Sequence, residues 1–89
     1  MKTIQIDQFN VNKAKITEMD KGFILKLNTE ENFELIDFLS HDFKNLPDLC
    51  CYVPELGITT GRCFLVDQKF DILDNELFYT AYFEIISYE

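Results

Sequence analysis

His41 is the single histidine in the chain, so any imidazole acid, base or metal ligand must be this residue. On a helix, Glu34, Asp37 and His41 fall at i, i+3 and i+7. That stripe offers two carboxylates and an imidazole to a divalent cation. A solvated helix face carries the same residue types, so no metal and no cofactor is expected. The three cysteines are Cys50, Cys51 and Cys63, with no CxxC pair and no zinc-finger spacing. They read as free, partly buried thiols of a reducing cytosol, with a Cys50–Cys63 or Cys51–Cys63 bridge as the alternative. A Cys–His nucleophile pair would need Cys50 or Cys51 to meet His41. Nothing in the sequence orients such a pair, and neither cysteine sits at a predicted helix N-terminus that would lower its pKa.

Carboxylates are plentiful. Asp67, Asp71, Asp74 and Glu76 cluster around two predicted turns. A calcium loop needs acids at alternate positions, a glycine at the sharp bend and a closing glutamate. The segment from Asp67 to Asp74 lacks the glycine and inserts Lys69 and Phe70. Paired glycosidase acids would need a cleft that so small a domain seldom forms. There is no GxGxxG and no GxxxxGK[ST], so no loop is built to cradle phosphate. Gly57 to Arg62 reads as a flexible loop beside a strand. No catalytic residue is expected, and the chain is not expected to be an enzyme. No stretch matches a family motif.

Charge divides the chain. Residues 1–28 hold five lysines against three carboxylates, a net of +2, whereas residues 29–89 hold three cations against thirteen carboxylates, a net of −10. An acidic field of that size repels nucleic acid and anionic membrane and attracts a basic surface. Lys13, Lys15, Lys21 and Lys26 make a poor nucleic-acid footprint beside it. The longest uncharged run, Leu77 to Phe83, is far short of the ~20 residues of a membrane helix. Met1 to Phe9 lacks the apolar stretch of a secretory signal. A cytoplasmic protein is expected. Phe, Ile, Asn, Lys and Tyr fill 35 positions, against eight for Ala, Gly, Arg and Pro. That bias suggests AT-rich codons and a low-GC bacterium or one of its phages.

The 89 residues fit one compact domain spanning 1–89. Thr3 to Phe9 alternates as a strand, followed by a turn at Asn10 and Asn12. Ala14 to Thr17 and Phe23 to Leu27 form a hairpin, with Gly22 expected to take positive φ in its turn. Phe33, Ile36, Leu39, Phe43 and Leu46 make one helical stripe, so a helix is predicted over about 29–45, ended by Pro47. On that reading Phe33→Ala or Phe43→Ala costs about 3–5 kcal/mol. Leu49 to Val53 is a short strand and Glu55 to Gly61 a loop. Arg62 to Asp67 and Phe70 to Leu73 are two strands joined at Gln68-Lys69, and Glu76 to Tyr88 is a long strand. The fold class is α+β, a mostly antiparallel sheet of an N-terminal hairpin unit and a C-terminal meander with one helix packed on one face. Either the sheet curls, or the second face of its last strand, with Phe78, Tyr82, Ile86 and Tyr88, meets a partner.

The functional expectation is a small acidic protein, phage or mobile-element encoded, that occupies a basic, nucleic-acid-binding surface of another protein such as a nuclease. Its carboxylates would stand where phosphates stand, with aromatic anchors between them. The expected contacts are Glu30, Glu31, Glu34, Asp37 and Asp42 around the helix, Asp67, Asp71, Asp74 and Glu76 on the meander, and Tyr82 and Tyr88. No direct nucleic-acid or membrane partner is expected. The alternatives are a self-associating structural subunit of phage-particle type, a homodimer through the last strand, and the immunity partner of a toxin.

Overall fold

The structure is a computed structural model that describes residues 4–41 and 43–88, Tyr88 by its backbone alone. In chain order the elements are β1 (Ile4–Ile6), β2 (Phe9–Val11), β3 (Lys15–Met19), β4 (Gly22–Asn28), α1 (Phe33–His41), β5 (Leu49–Val53), β6 (Ile58–Leu73) and β7 (Glu76–Tyr88). Single 3₁₀ turns follow α1 at Phe43–Asn45 and β5 at Pro54–Leu56. All seven strands form one antiparallel sheet in the order β2-β1-β5-β6-β7-β4-β3.

That order forces the sheet to roll. Strands β2 and β3 are the two edges, yet only residues 12–14 separate them in sequence. A flat seven-stranded sheet would set its edges roughly 29 Å apart, six spacings of about 4.8 Å. Four Cα steps from Val11 to Lys15 span at most about 14 Å. The edges must converge, which is the curling alternative anticipated above. Asn32 holds the connector in place. Its Nδ2 donates to the Asn12 carbonyl (2.8 Å) and the Asn28 carbonyl (3.0 Å), and its Oδ1 accepts from the Asn12 amide (2.8 Å). A buried amide with both ends satisfied stabilises this crossing without a desolvation penalty.

Several local expectations are corrected. Thr3 to Phe9 is not one strand. Asp7, at φ 55°, turns the chain so that Ile4–Ile6 pairs back on Phe9–Val11. Aspartate tolerates the left-handed region better than most residues, and the alternation of Ile4 and Ile6 gave no sign of the break. Gly22 does not take positive φ; it begins β4. Its reason is space, because a Cβ there would overlap the Phe83 carbonyl oxygen on β7. The β6–β7 turn does use the left-handed region, at Asp74 (φ 50°) and Asn75 (φ 66°), the pattern of a two-residue type I′ hairpin.

The helix is shorter than its apolar stripe. Asn28 Oδ1 accepts from the amides of Glu30 and Glu31, which makes a turn of residues 28–31, and helical bonding begins with the Ile36 amide to the Asn32 carbonyl. The helix buries Leu35, Ile36 and Leu39, while Phe33 is 70% exposed and is not core. Phe38 and Phe43 pack partly against the core, Phe38 with its ring 5.2 Å from that of Phe9. Leu35, Ile36 and Leu39 join Phe23, Leu25, Leu27, Tyr79, Ala81 and Phe83 of the sheet in one apolar cluster. Among the described residues no helix is long and apolar enough to cross a membrane.

Candidate functional site

Strand β6 outruns its neighbour. β5 pairs with it only as far as Leu49 opposite Cys63, while β6 and β7 stay paired to Leu73 opposite Glu76. The β6–β7 hairpin therefore projects past β5. The predicted break at Gln68-Lys69 is instead a bulge within one continuous strand, where Leu65 faces Phe83, Asp67 faces Tyr82 and Val66 is the extra residue. A bulge resets which side chains point inward. Beyond it Gln68, Phe70 and Ile72 share the face of Ala81, Tyr79 and Leu77, and Asp67, Lys69 and Asp71 turn to the other face with Tyr82 and Phe78. The Phe70 and Tyr79 rings lie 5.0 Å apart, and the Tyr79 hydroxyl donates to Gln68 Oε1 at 2.8 Å. Burial pushes the Tyr79 phenol well above its usual range.

This reset creates a groove of about 390 Å³ between α1 and the hairpin. Phe33 and Ile36 form its helix wall and Phe70 and Leu77 its strand wall, with Glu30 and Asp37 along the rim. Phe33 is 70% exposed, Phe70 49% and Leu77 43%, and Ile72 beyond them 73%. Both the amide and the hydroxyl of Thr29 donate to the Leu77 carbonyl (3.2 and 3.0 Å), which ties the lead-in of α1 to the hairpin. The Ser40 hydroxyl donates to the Ile36 carbonyl at 2.7 Å, so it presents no free donor to the groove. The two ion pairs found among the described residues, Lys13–Glu31 and Lys69–Asp71, each 3.4 Å, leave Glu30 and Asp37 out.

The predicted contact residues do not gather into one patch. Glu30 and Asp37 line the groove. Glu31 is exposed in the lead-in and paired to Lys13. Glu34 lines a separate hollow with His41, Phe9 and Phe38. Asp67 and Asp71 lie on the opposite sheet face, where Asp67 Oδ1 accepts from the Gln68 amide (2.8 Å). Asp74 forms the hairpin turn and Glu76 is exposed beside it. Tyr82 is half-buried between Ile24 and Asp67. Tyr88 pairs in register with Gly61, its side chain outside the described residues, and Asp42 lies outside them altogether. The outer face of β7 is partly covered: Lys26 Nζ sits 5.2 Å above the Phe78 ring and Thr80 is buried. Phe33, Phe70 and Leu77 were missed as surface residues. The shift of apolar positions from Cys63 and Leu65 to Phe70 and Ile72 was the available signal, because a one-residue change of phase within a strand marks a bulge.

The remaining chemistry is sparse. Among the described residues no three His, Cys, Asp or Glu side chains are grouped to hold a metal. All three cysteines are free thiols. Cys50 is exposed and accepts from Arg62 Nη1 at 3.8 Å, away from the hollow that His41 lines. Cys51 and Cys63 are buried together; their mutual hydrogen bond and burial push the Cys63 thiol far up. A wider hollow of about 470 Å³ lies at the other end of β7, among Glu18, Asp20, Lys21, Leu56 and Glu84. In comparisons with family models, curated proteins and solved structures the chain matches none, which leaves the geometry of the groove to carry the functional reading.

Proposed function

We propose that this chain is a small acidic protein-binding inhibitor that occupies a basic, nucleic-acid-binding surface of another protein, of the kind a phage or mobile element directs at a host nuclease. The observation that carries the reading is the groove itself, an apolar trough rimmed by carboxylates within a region of net charge −10 over residues 29–89. Carboxylates steer a cationic surface into place over a Debye length, and the apolar floor supplies contact once water is excluded. In this arrangement α1 packs across one face of the rolled sheet, the placement that its membership of the sheet's core cluster supports, and its acids look outward. The test begins with a target recovered by salt elution from a nuclease-treated low-GC bacterial lysate. The pure chain should then displace nucleic acid from that target at near-stoichiometric ratios. Reversing charge at Glu30, Glu34 and Asp37 should slow association and flatten its salt dependence. A target that keeps its nucleic acid at saturating chain sinks the reading.

A second reading, self-association as a structural subunit, draws on Val66 and Ile86, each 49% exposed. Sedimentation that shows a monomer at high concentration removes it.

A further inference from the structure

We infer that the groove between α1 and the β6–β7 hairpin receives a large apolar side chain presented by a lysine- or arginine-rich segment of the partner protein. The inference rests on the inhibitor reading and adds the chemistry of what is bound. Single exposed apolar residues are ordinary on a protein surface. Here Phe33, Phe70 and Leu77 converge from α1, β6 and β7 on one trough, and Ile72 extends the strip along the same strand face. The bulge at Val66 is what aims Phe70 into this space, and sets Ile72 on the same strand face, rather than out with Asp71. The Thr29–Leu77 hydrogen bonds fix the two walls relative to each other, so little ordering cost remains for binding.

The rim decides the class of occupant. Glu30 and Asp37 flank the apolar floor and take no part in the ion pairs of the described residues. Phosphate groups, whether of nucleic acid or of anionic lipid, are repelled there. A peptide segment that carries cations on either side of an apolar anchor satisfies both features at once, an aromatic centre within a charged rim.

The test uses the isotope-labelled full chain and three synthetic peptides. The first has leucines at every third or fourth position flanked by lysines, the second replaces those lysines with glutamates, and the third keeps the lysines but replaces the leucines with serines. The lysine–leucine peptide should shift the amide resonances of Phe33, Asp37, Phe70 and Leu77. Its affinity should fall about tenfold or more in Phe33→Ser and in Asp37→Lys, two exposed changes on α1. Equal binding of the lysine–serine peptide, insensitive to Phe33→Ser, overturns the groove while sparing the acidic-surface reading. Equal binding of the glutamate peptide overturns the charge class. Absence of any shift with the lysine–leucine peptide overturns the groove, and displacement of nucleic acid from a target then judges the broader reading separately. Concentration-dependent shifts of the same amides in the free chain make a second copy the occupant and overturn the inference.

Discussion

Truncating Phe33 and Leu35 in parallel tests which face of α1 is buried, and with it whether the groove exists. Phe33 keeps only three tenths of its surface from water, since it is 70% exposed. Full burial of such a side chain contributes about 1.5–3 kcal/mol, so Phe33→Ala removes roughly 0.5–1 kcal/mol. Alanine's better helix propensity returns a few tenths of that. Leu35 is 2% exposed inside the cluster with the sheet. Leu35→Ala therefore loses transfer energy and leaves a cavity, at a cost of about 2–5 kcal/mol. Urea unfolding at equal slope gives both values. The expected result is a small loss for Phe33 and a loss several times larger for Leu35. A loss near 3 kcal/mol for Phe33→Ala would place that ring in the core, roll α1 about its axis and abolish the groove.

Three further predictions bear on the scaffold. Gly22→Ala should destabilise by about 1–3 kcal/mol or prevent folding, because the added carbon meets the Phe83 and Glu84 backbone rather than a movable side chain; an unchanged urea midpoint would refute the β4–β7 register. Asn32→Asp should destabilise more than Asn32→Ser at neutral pH, since a carboxylate would face the Asn12 and Asn28 carbonyls that now accept from the amide; equal thermal midpoints would count against the lock on the β2–β3 crossing. A thiol reagent at pH 8 should label Cys50 alone in the native protein, with Cys51 and Cys63 reacting only on unfolding.

Much of the fold was legible because local chemistry and tertiary demand agree there. β4, β5 and β7 follow period-2 alternation, and each has one face in the core, while β3 sends only Ile16 against it. The misreadings share a cause: the sequence pattern was right but served a different structural end. Phe33 continues the spacing of Ile36 and Leu39, yet spacing alone does not say that it faces the open groove beside Phe70 and Leu77 rather than the core. Gly22 sits where a turn glycine would, and only the backbone of β7 shows that it is needed for close approach. Lys69 between Gln68 and Phe70 looked like punctuation, while the register shows a strand that changed phase at Val66. The sheet face that Asp67 and Asp71 take depends on that one extra residue, whereas Glu30 and Asp37 reach the groove from α1 and its lead-in.

The hairpin's length is hard to account for by stability alone. The core closes around Tyr79, Ala81 and Phe83, where β4 and β7 pair, and the strand pairing of β5 with β6 ends at Cys63. The tip beyond Phe78 adds exposed Ile72, Leu73 and Leu77, whose surface contributes little burial and adds aggregation hazard. A type I′ turn at Asp74-Asn75 nonetheless holds the tip in register, and Thr29 clamps it to the helix lead-in. Apolar surface that is ordered in the free protein without being buried by it is what a preorganised binding wall requires. Replacing Ile72 and Leu77 together with threonine separates the two roles. Threonine keeps β-propensity, and both residues are exposed, so the unfolding free energy should change by less than about 1 kcal/mol. Affinity for the lysine–leucine peptide should fall by an order of magnitude. A stability loss of several kcal/mol with unchanged peptide affinity would make the tip a part of the core, and its exposed apolar strip would then have no bearing on binding.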